Sequence, residues 1–324
     1  QQLKIMFNKD LQLHYSDSPE VDFSSAREMK PYLEEPKAMY VGAPGKRGYL
    51  NLGFELDAGG KSILRELDRR APLIVQQELY FDEKLPGMPC VYILSSGGPN
   101  IDGDRYMQNI TVGSGAMAWV STGAATKLAG MKYNYSGMIQ NIVLRENAYL
   151  EYLPEPIIPH ASTRFICDTR MCVDPTATVL YSEIYMGGRK YYGGGELFNF
   201  DILSVCSHGE RPDGEQLFRE KFIIRPDEGH IRDCGVMGKY DIFANVIVMT
   251  PADKAEMIYQ QTRAYIDPSR QLAAGITHLP NGAGLLFKVL GKEPGPVKAA
   301  VREFASNVRM AIKGVTLPEE FPWR

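Results

Sequence analysis

The sequence RFICDTRMCVDPTATVLYSEIYM, residues 164–186, decides the fold class. Its first half has a period of two, with one face formed by Phe165, Cys167, Thr169, Met171 and Val173. A turn that contains Pro175 separates this half from a second run of the same period at residues 178–186. Two such runs joined by a short turn are typical of β-strands with a buried face.

Similar short runs continue on both sides of this stretch, and most of them end at glycine or proline. They cover residues 48–56, a run from 61, 72–77, 90–94, 106–112, 116–121, 132–144, 148–153, 197–207 and 217–224. No fixed-length repeat is visible. A long series of short strands predicts a mainly β protein built as a sandwich, a barrel or a coil of β-sheet.

Helices are predicted only near the C-terminus. Thr250 is expected as an N-cap before Pro251, with the helix running to about residue 267. A second helix begins near Pro296, with one apolar face formed by Val297, Val301, Phe304, Val308 and Ile312. Strands are expected at 271–279 and 284–290.

The sequence predicts an irregular N-terminal arm followed by one domain. The arm covers residues 1–45, and prolines and glycines interrupt any periodicity there. The domain covers residues 46–324, with a β body at 46–245 and an α+β part at 246–324.

Composition argues against several classes of partner. The 36 Lys and Arg residues against 39 Asp and Glu leave a formal net charge of −3, so no basic field favours nucleic acid or an anionic membrane. No apolar run reaches the roughly 20 residues of a membrane helix, and no signal peptide is expected. The 5 cysteines are an odd number without a C-x-x-C pair, which favours a reducing, cytoplasmic location.

No catalytic motif stands out. The sequence has no P-loop, no H-E-x-x-H and no G-x-S-x-G, and its 5 histidines are far apart. We therefore expect a binding protein rather than an enzyme.

Three glutamates share strand faces with apolar residues. They are Glu151, Glu183 and Glu220. An isolated buried carboxylate is costly and needs water, a cation or an arginine. Two interpretations stay open: internal salt bridges to Arg145, Arg164, Arg170 or Arg219, or a water-filled passage whose carboxylates hold a divalent cation weakly.

Six short motifs occur in the order found in the urease accessory protein UreD family, also called UreH. Residues 71–76 (APLIVQ) resemble G-P-L-x-V-Q, 97–104 (GGPNIDGD) resemble P-P-G-G-x-x-G-G-D, 121–127 (STGAATK) resemble T-T-x-A-A-x-K, and 150–154 (LEYLP) resemble L-E-W-L-P. Glu183 followed by Gly188-Arg189, and Leu285-Leu286 before the last helix, also fit. The departures are Ser95 and Ser96 in place of two prolines, and Asp102 in place of a glycine.

The resemblance implies a mainly β fold, in a two-layered helical β arrangement with about two C-terminal helices. It implies a scaffold that binds UreF, and through UreF the GTPase UreG, and that docks on apo-urease. Nickel(II) would pass through an internal tunnel, with no cofactor bound permanently. The positions carried over as transient tunnel-lining residues are Asp104, Thr126, Glu151, Glu183 and Glu220.

Two other interpretations stay open from the sequence. One is a β-helical carbohydrate-active enzyme that uses carboxylates on strands, although only Trp119 and Trp323 are available for stacking on sugars. The other is a purely structural adaptor whose acids all pair with arginine.

Overall fold

The computed structural model describes residues 20–37 and 43–318. Its first strands are β1 (Arg47–Leu56), β2 (Ser62–Arg70), β3 (Leu73–Ile74), β4 (Cys90–Ser95), β5 (Arg105–Val112), β6 (Met117–Thr122), β7 (Thr126–Leu128), β8 (Ser136–Leu144), β9 (Tyr149–Tyr152), β10 (Ile157–Pro159), β11 (Arg164–Val173) and β12 (Thr178–Met186). They continue with β13 (Gly188–Arg189), β14 (Glu196–Leu197), β15 (Ile202–Glu210), β16 (Gln216–Ile224), β17 (Ile242–Met249), β18 (Tyr265–Asp267), β19 (Leu272–His278) and β20 (Gly284–Gly291). The helices are α1 (Ala252–Gln261) and α2 (Pro294–Lys313).

The described strands form two large sheets and one short pair, β13 with β14. The first sheet has the order β16-β15-β11-β8-β5-β1-β2, and the second has β18-β19-β20-β17-β12-β9-β6-β4-β3 with β10 and β7 joined to it. The chain crosses between them repeatedly: β5, β8, β11 and β15 are parallel neighbours in the first sheet. Strands β6, β9 and β12 are parallel neighbours in the second. The prediction of a mainly β fold coiled in two layers is confirmed.

The main core lies between the two sheets, and the helices cover the other face of part of the second sheet. In α2, Val297, Val301, Phe304 and Val308 are buried, and Phe304 stacks on Phe287 of β20 at a ring-centroid distance of 4.3 Å. The predicted one-faced helix is confirmed, and it begins at Pro294. No helix in the described part of the chain is long and apolar enough to cross a bilayer.

The prediction for the first helix was wrong at both ends. The helix begins at Ala252, and no side chain of the described residues caps it. The Thr250 hydroxyl instead lies 2.7 Å from the Thr178 hydroxyl, so it joins two strands. The helix ends at Gln261, and Tyr265–Asp267 pairs with β19 as a strand.

Part of the predicted N-terminal arm lies on the first sheet. Val21, Phe23 and Met29 are buried against Ile139 and Ile166 on the sheet face that points away from the main core. Residues 1–19 and 38–42 of the arm lie outside the described residues.

A buried ion cluster attaches α2 to the second sheet. Arg309 donates from Nε and Nη2 to the two Glu151 oxygens, each at 2.7 Å, and from Nη1 to Asp82. All three side chains are 0% exposed. Of the two interpretations from the sequence, the internal salt bridge therefore holds for Glu151. Its partner is Arg309 and none of the four arginines expected.

Replacing Arg309 by alanine should lower the free energy of unfolding by about 3–5 kcal/mol, because two carboxylates would stay buried without their cation. Urea denaturation measures the change. Met310→Ala, at an exposed neighbour on the same helix, should change stability by less than about 0.5 kcal/mol. A loss of under 1 kcal/mol for Arg309→Ala would contradict this account.

Candidate functional site

A cavity of about 540 Å³ lies between the two sheets. Exposed residues of two chain segments line its outer part, among them Ser95, Gly98 and Lys127. Its inner part is lined by buried side chains that include Tyr181, Glu183 and Tyr185. The cavity therefore runs from a mouth at two glycine-containing segments, residues 95–100 and 122–127, into the centre of the sandwich.

A chain of hydrogen bonds crosses the core along this cavity. The Tyr152 hydroxyl lies 2.9 Å from the side-chain oxygens of both Gln108 and Gln140. Gln140 Nε2 donates to the Tyr181 hydroxyl at 2.9 Å, and that hydroxyl donates to Glu183 Oε1 at 2.7 Å. Polar side chains from both sheets thus lead to a single carboxylate.

Glu183 is 4% exposed, and no lysine, arginine or histidine of residues 20–37 and 43–318 forms an ion pair with it. Its other hydrogen-bond partners are the hydroxyl of Ser207 at 3.4 Å and the side chain of Asn245. Burial raises the pKa of the Glu183 carboxyl to about 7; the bond from Tyr181 opposes the rise and the charge of Glu220 adds to it.

Two more polar groups belong to the inner wall. The Tyr185 hydroxyl is buried, and within the described residues it has no hydrogen-bond partner. Burial, with the Glu183 charge beside it, raises the pKa of the Cys167 thiol well above its usual range, so this residue presents a thiol and not a thiolate. The wall therefore offers a carboxylate, hydroxyls and amides, and only a weak sulfur ligand.

The polar path continues beyond the cavity. Glu183 of β12 is in register with Asn245 of β17, which is in register with Lys288 of β20. On the facing sheet, Ser207 of β15 is in register with Glu220 of β16. The Lys288 ammonium contacts the Glu220 carboxylate, so the path ends at an ion pair near the sheet edge.

The remaining predicted site residues fall at three places. Thr126 lines the mouth of the cavity. Asp104 is buried next to the cavity wall. Its carboxylate lies 2.9 Å from the Lys46 ammonium and 2.9 Å from the hydroxyl of Tyr106, which lines the cavity. Glu151 does not line the cavity, because Arg309 holds it on the face of the second sheet that the helix covers.

Sequence reasoning missed most of the uncharged members of this path, namely Gln108, Gln140, Tyr152, Tyr181, Ser207 and Asn245. The sequence did contain a signal for Gln140, because Gln140 and Asn141 interrupt the apolar residues at the end of a predicted strand. In the structure this strand is β8, and all its positions are buried. Within the described residues, no three His, Cys, Asp or Glu side chains are grouped so as to hold a metal ion.

Comparison with known proteins identifies the family. The sequence model described as "UreD urease accessory protein" matches residues 46–324. The chain belongs to the UreD family. It is 45% identical over 298 residues to "Urease accessory protein UreD 2" of Brucella suis biovar 1 (strain 1330), covering 92% of this chain and 98% of the relative. It is 43% identical over 300 residues to "Urease accessory protein UreD" of Yersinia pseudotuberculosis serotype O:1b (strain IP 31758), covering 93% of each. The predicted resemblance to UreD is confirmed.

The raised pKa of Glu183 in this UreD protein predicts a pH-dependent stability. Because the folded pKa of about 7 exceeds the usual 4.5, the contribution of this group is fully present below pH 4.5 and is lost as the pH rises through about 7. Relative to Glu183→Gln, the wild-type chain should lose about 3 kcal/mol of unfolding free energy over that range. Urea denaturation at a series of pH values measures both; a difference that does not change with pH would contradict the assignment.

Proposed function

We propose that this UreD protein is a urease maturation factor that conducts nickel(II) through its internal cavity. In this function it is also the scaffold that links UreF, and UreG through UreF, to apo-urease in the cytoplasm. Nickel is cargo here, and Asp104, Thr126, Glu183 and Glu220 are transient contacts along its route.

One observation carries the proposal. Glu183 is a buried carboxylate that no cation of the described residues neutralises, and it lies at the inner end of a cavity with an exposed mouth. A buried carboxylate is costly when no cation neutralises it, even where hydrogen bonds offset part of that cost. A divalent cation entering from the mouth would supply the missing charge.

The ligands along the route favour passage over storage. Nickel(II) is held most firmly by imidazole and thiolate. The cavity wall instead offers the oxygens of Glu183, the Tyr181 and Tyr185 hydroxyls and a protonated Cys167. Such a set attracts the ion and lets it leave.

The names of the relatives support the urease part of the proposal, since both are accessory proteins of urease. A purely structural role accounts for Glu151, which Arg309 neutralises. It leaves Glu183 without an explanation, and for that reason we prefer conduction.

The double variant Glu183→Ala with Glu220→Ala tests the function. It should still co-purify with UreF and apo-urease, because both side chains belong to the interior path, and it should lower nickel-dependent urease activation at least about tenfold. Asp168→Asn is the matched control, because that acid faces the outside of the first sheet and pairs with His208. Full activation by the folded double variant would refute conduction through this cavity.

A further inference from the structure

The far end of the polar path lies at Lys288, whose ammonium contacts the Glu220 carboxylate. Glu183, Asn245 and Lys288 lie side by side on neighbouring strands of the second sheet. Gly275 of β19 is the next residue in this row. All four positions face the first sheet, because their sequence neighbours Ile184, Ala244 and Phe287 pack toward the helices. The row therefore leads from the centre of the sandwich outward across the second sheet.

Beyond Lys288 the second sheet extends into an open groove of about 520 Å³. The groove is lined by small and apolar residues together with Lys288, among them Ala273, Gly275 and Leu290. Apart from Gly275 and its two chain neighbours, no atom of the described residues lies within 4 Å of the place where a side chain would begin at Gly275. Lys288 thus lies between the interior path and a groove at the protein surface.

The ion pair at this position differs from the permanent one at Arg309. The side chains of Lys288 and Glu220 are 51% and 25% exposed, whereas Arg309 and Glu151 are both 0% exposed. A lysine presents one point charge on a flexible stem, while an arginine can hold a carboxylate with two parallel bonds. An exposed Lys–Glu pair is weak and readily broken.

From this arrangement we infer that Lys288 is the gate at the far end of the passage: its ammonium occupies Glu220 and must move aside before a divalent cation can bind there and leave. The inference rests on the proposed function. While the pair is closed, the ammonium charge also opposes the approach of a cation to Glu220.

Nickel release from the purified full-length chain tests the gate. The chain is loaded with Ni²⁺ and mixed rapidly with an excess of a chromophoric chelator, and the rate of nickel transfer is followed by absorbance. Lys288→Gln should release nickel about 1.5- to fivefold faster than the wild type, the factor expected for the loss of one exposed ion pair. Lys288→Arg should release it more slowly, because two bonds would hold Glu220.

Lys221→Gln is the matched control. Lys221 is the residue next to Glu220 and pairs with Glu28 at 2.6 Å, but it lies on the opposite face of the same strand. It should release nickel at the wild-type rate. An unchanged rate in Lys288→Gln, or an equal acceleration in Lys221→Gln, would overturn the gate. If Lys288→Gln does not fold stably, Lys288→Met replaces it, because methionine keeps the apolar stem. It should release nickel faster than the wild type by the same factor.

A further variant separates the gate from the function it rests on. Glu183→Gln should retain less nickel than the wild type. If it does, and Lys288→Gln still releases at the wild-type rate, only the gate is wrong. If the wild-type chain takes up no nickel at any Ni²⁺ concentration, conduction through the cavity and its gate are both refuted.

Discussion

The hydrogen bond from the Tyr181 hydroxyl to the Glu183 carboxylate lies at the centre of the interior of this protein. Polar groups between two sheets must be paired, because a buried polar group without a partner costs free energy. Gln140 meets this requirement by donating to Tyr181 while its oxygen lies beside Tyr152. The coiled two-sheet arrangement makes the path possible, since successive parallel strands place each of these side chains at a similar depth.

The three glutamates that share strand faces with apolar residues have different surroundings. Glu151 is fixed by Arg309 in a closed interior, which suits a permanent joint between helix and sheet. Glu220 is paired with a half-exposed lysine, which suits a contact that is broken and remade. Glu183 has hydrogen bonds but no cation among the described residues, and burial raises its pKa to about 7. The partner of each carboxylate therefore suits the role we propose for it: attachment for Glu151, gating for Glu220 and passage for Glu183.

Strand periodicity in the sequence predicted most of the sheet and the faces of the strands, including the inward direction of Glu183. The period of a strand does not show which distant element covers its face. Four other arginines were therefore expected as partners of Glu151, whereas its partner is Arg309, 158 positions away. Strand β17 was missed because Ile242–Met249 is apolar except for Asn245 and has no alternation, and it is buried at seven of its eight positions. The motifs indicated the family, but the hydrogen bonds between glutamines, tyrosines and Glu183 depend on how the two sheets face each other.

Nickel anomalous scattering from crystals of the chain soaked in Ni²⁺ tests the central claim most directly, because it locates the ion without a functional assay. We predict a peak between the two sheets, beside the Glu183 carboxylate and within reach of the Tyr185 hydroxyl. Anomalous peaks confined to the protein surface, with none in the interior after soaking at a saturating Ni²⁺ concentration, would contradict the account.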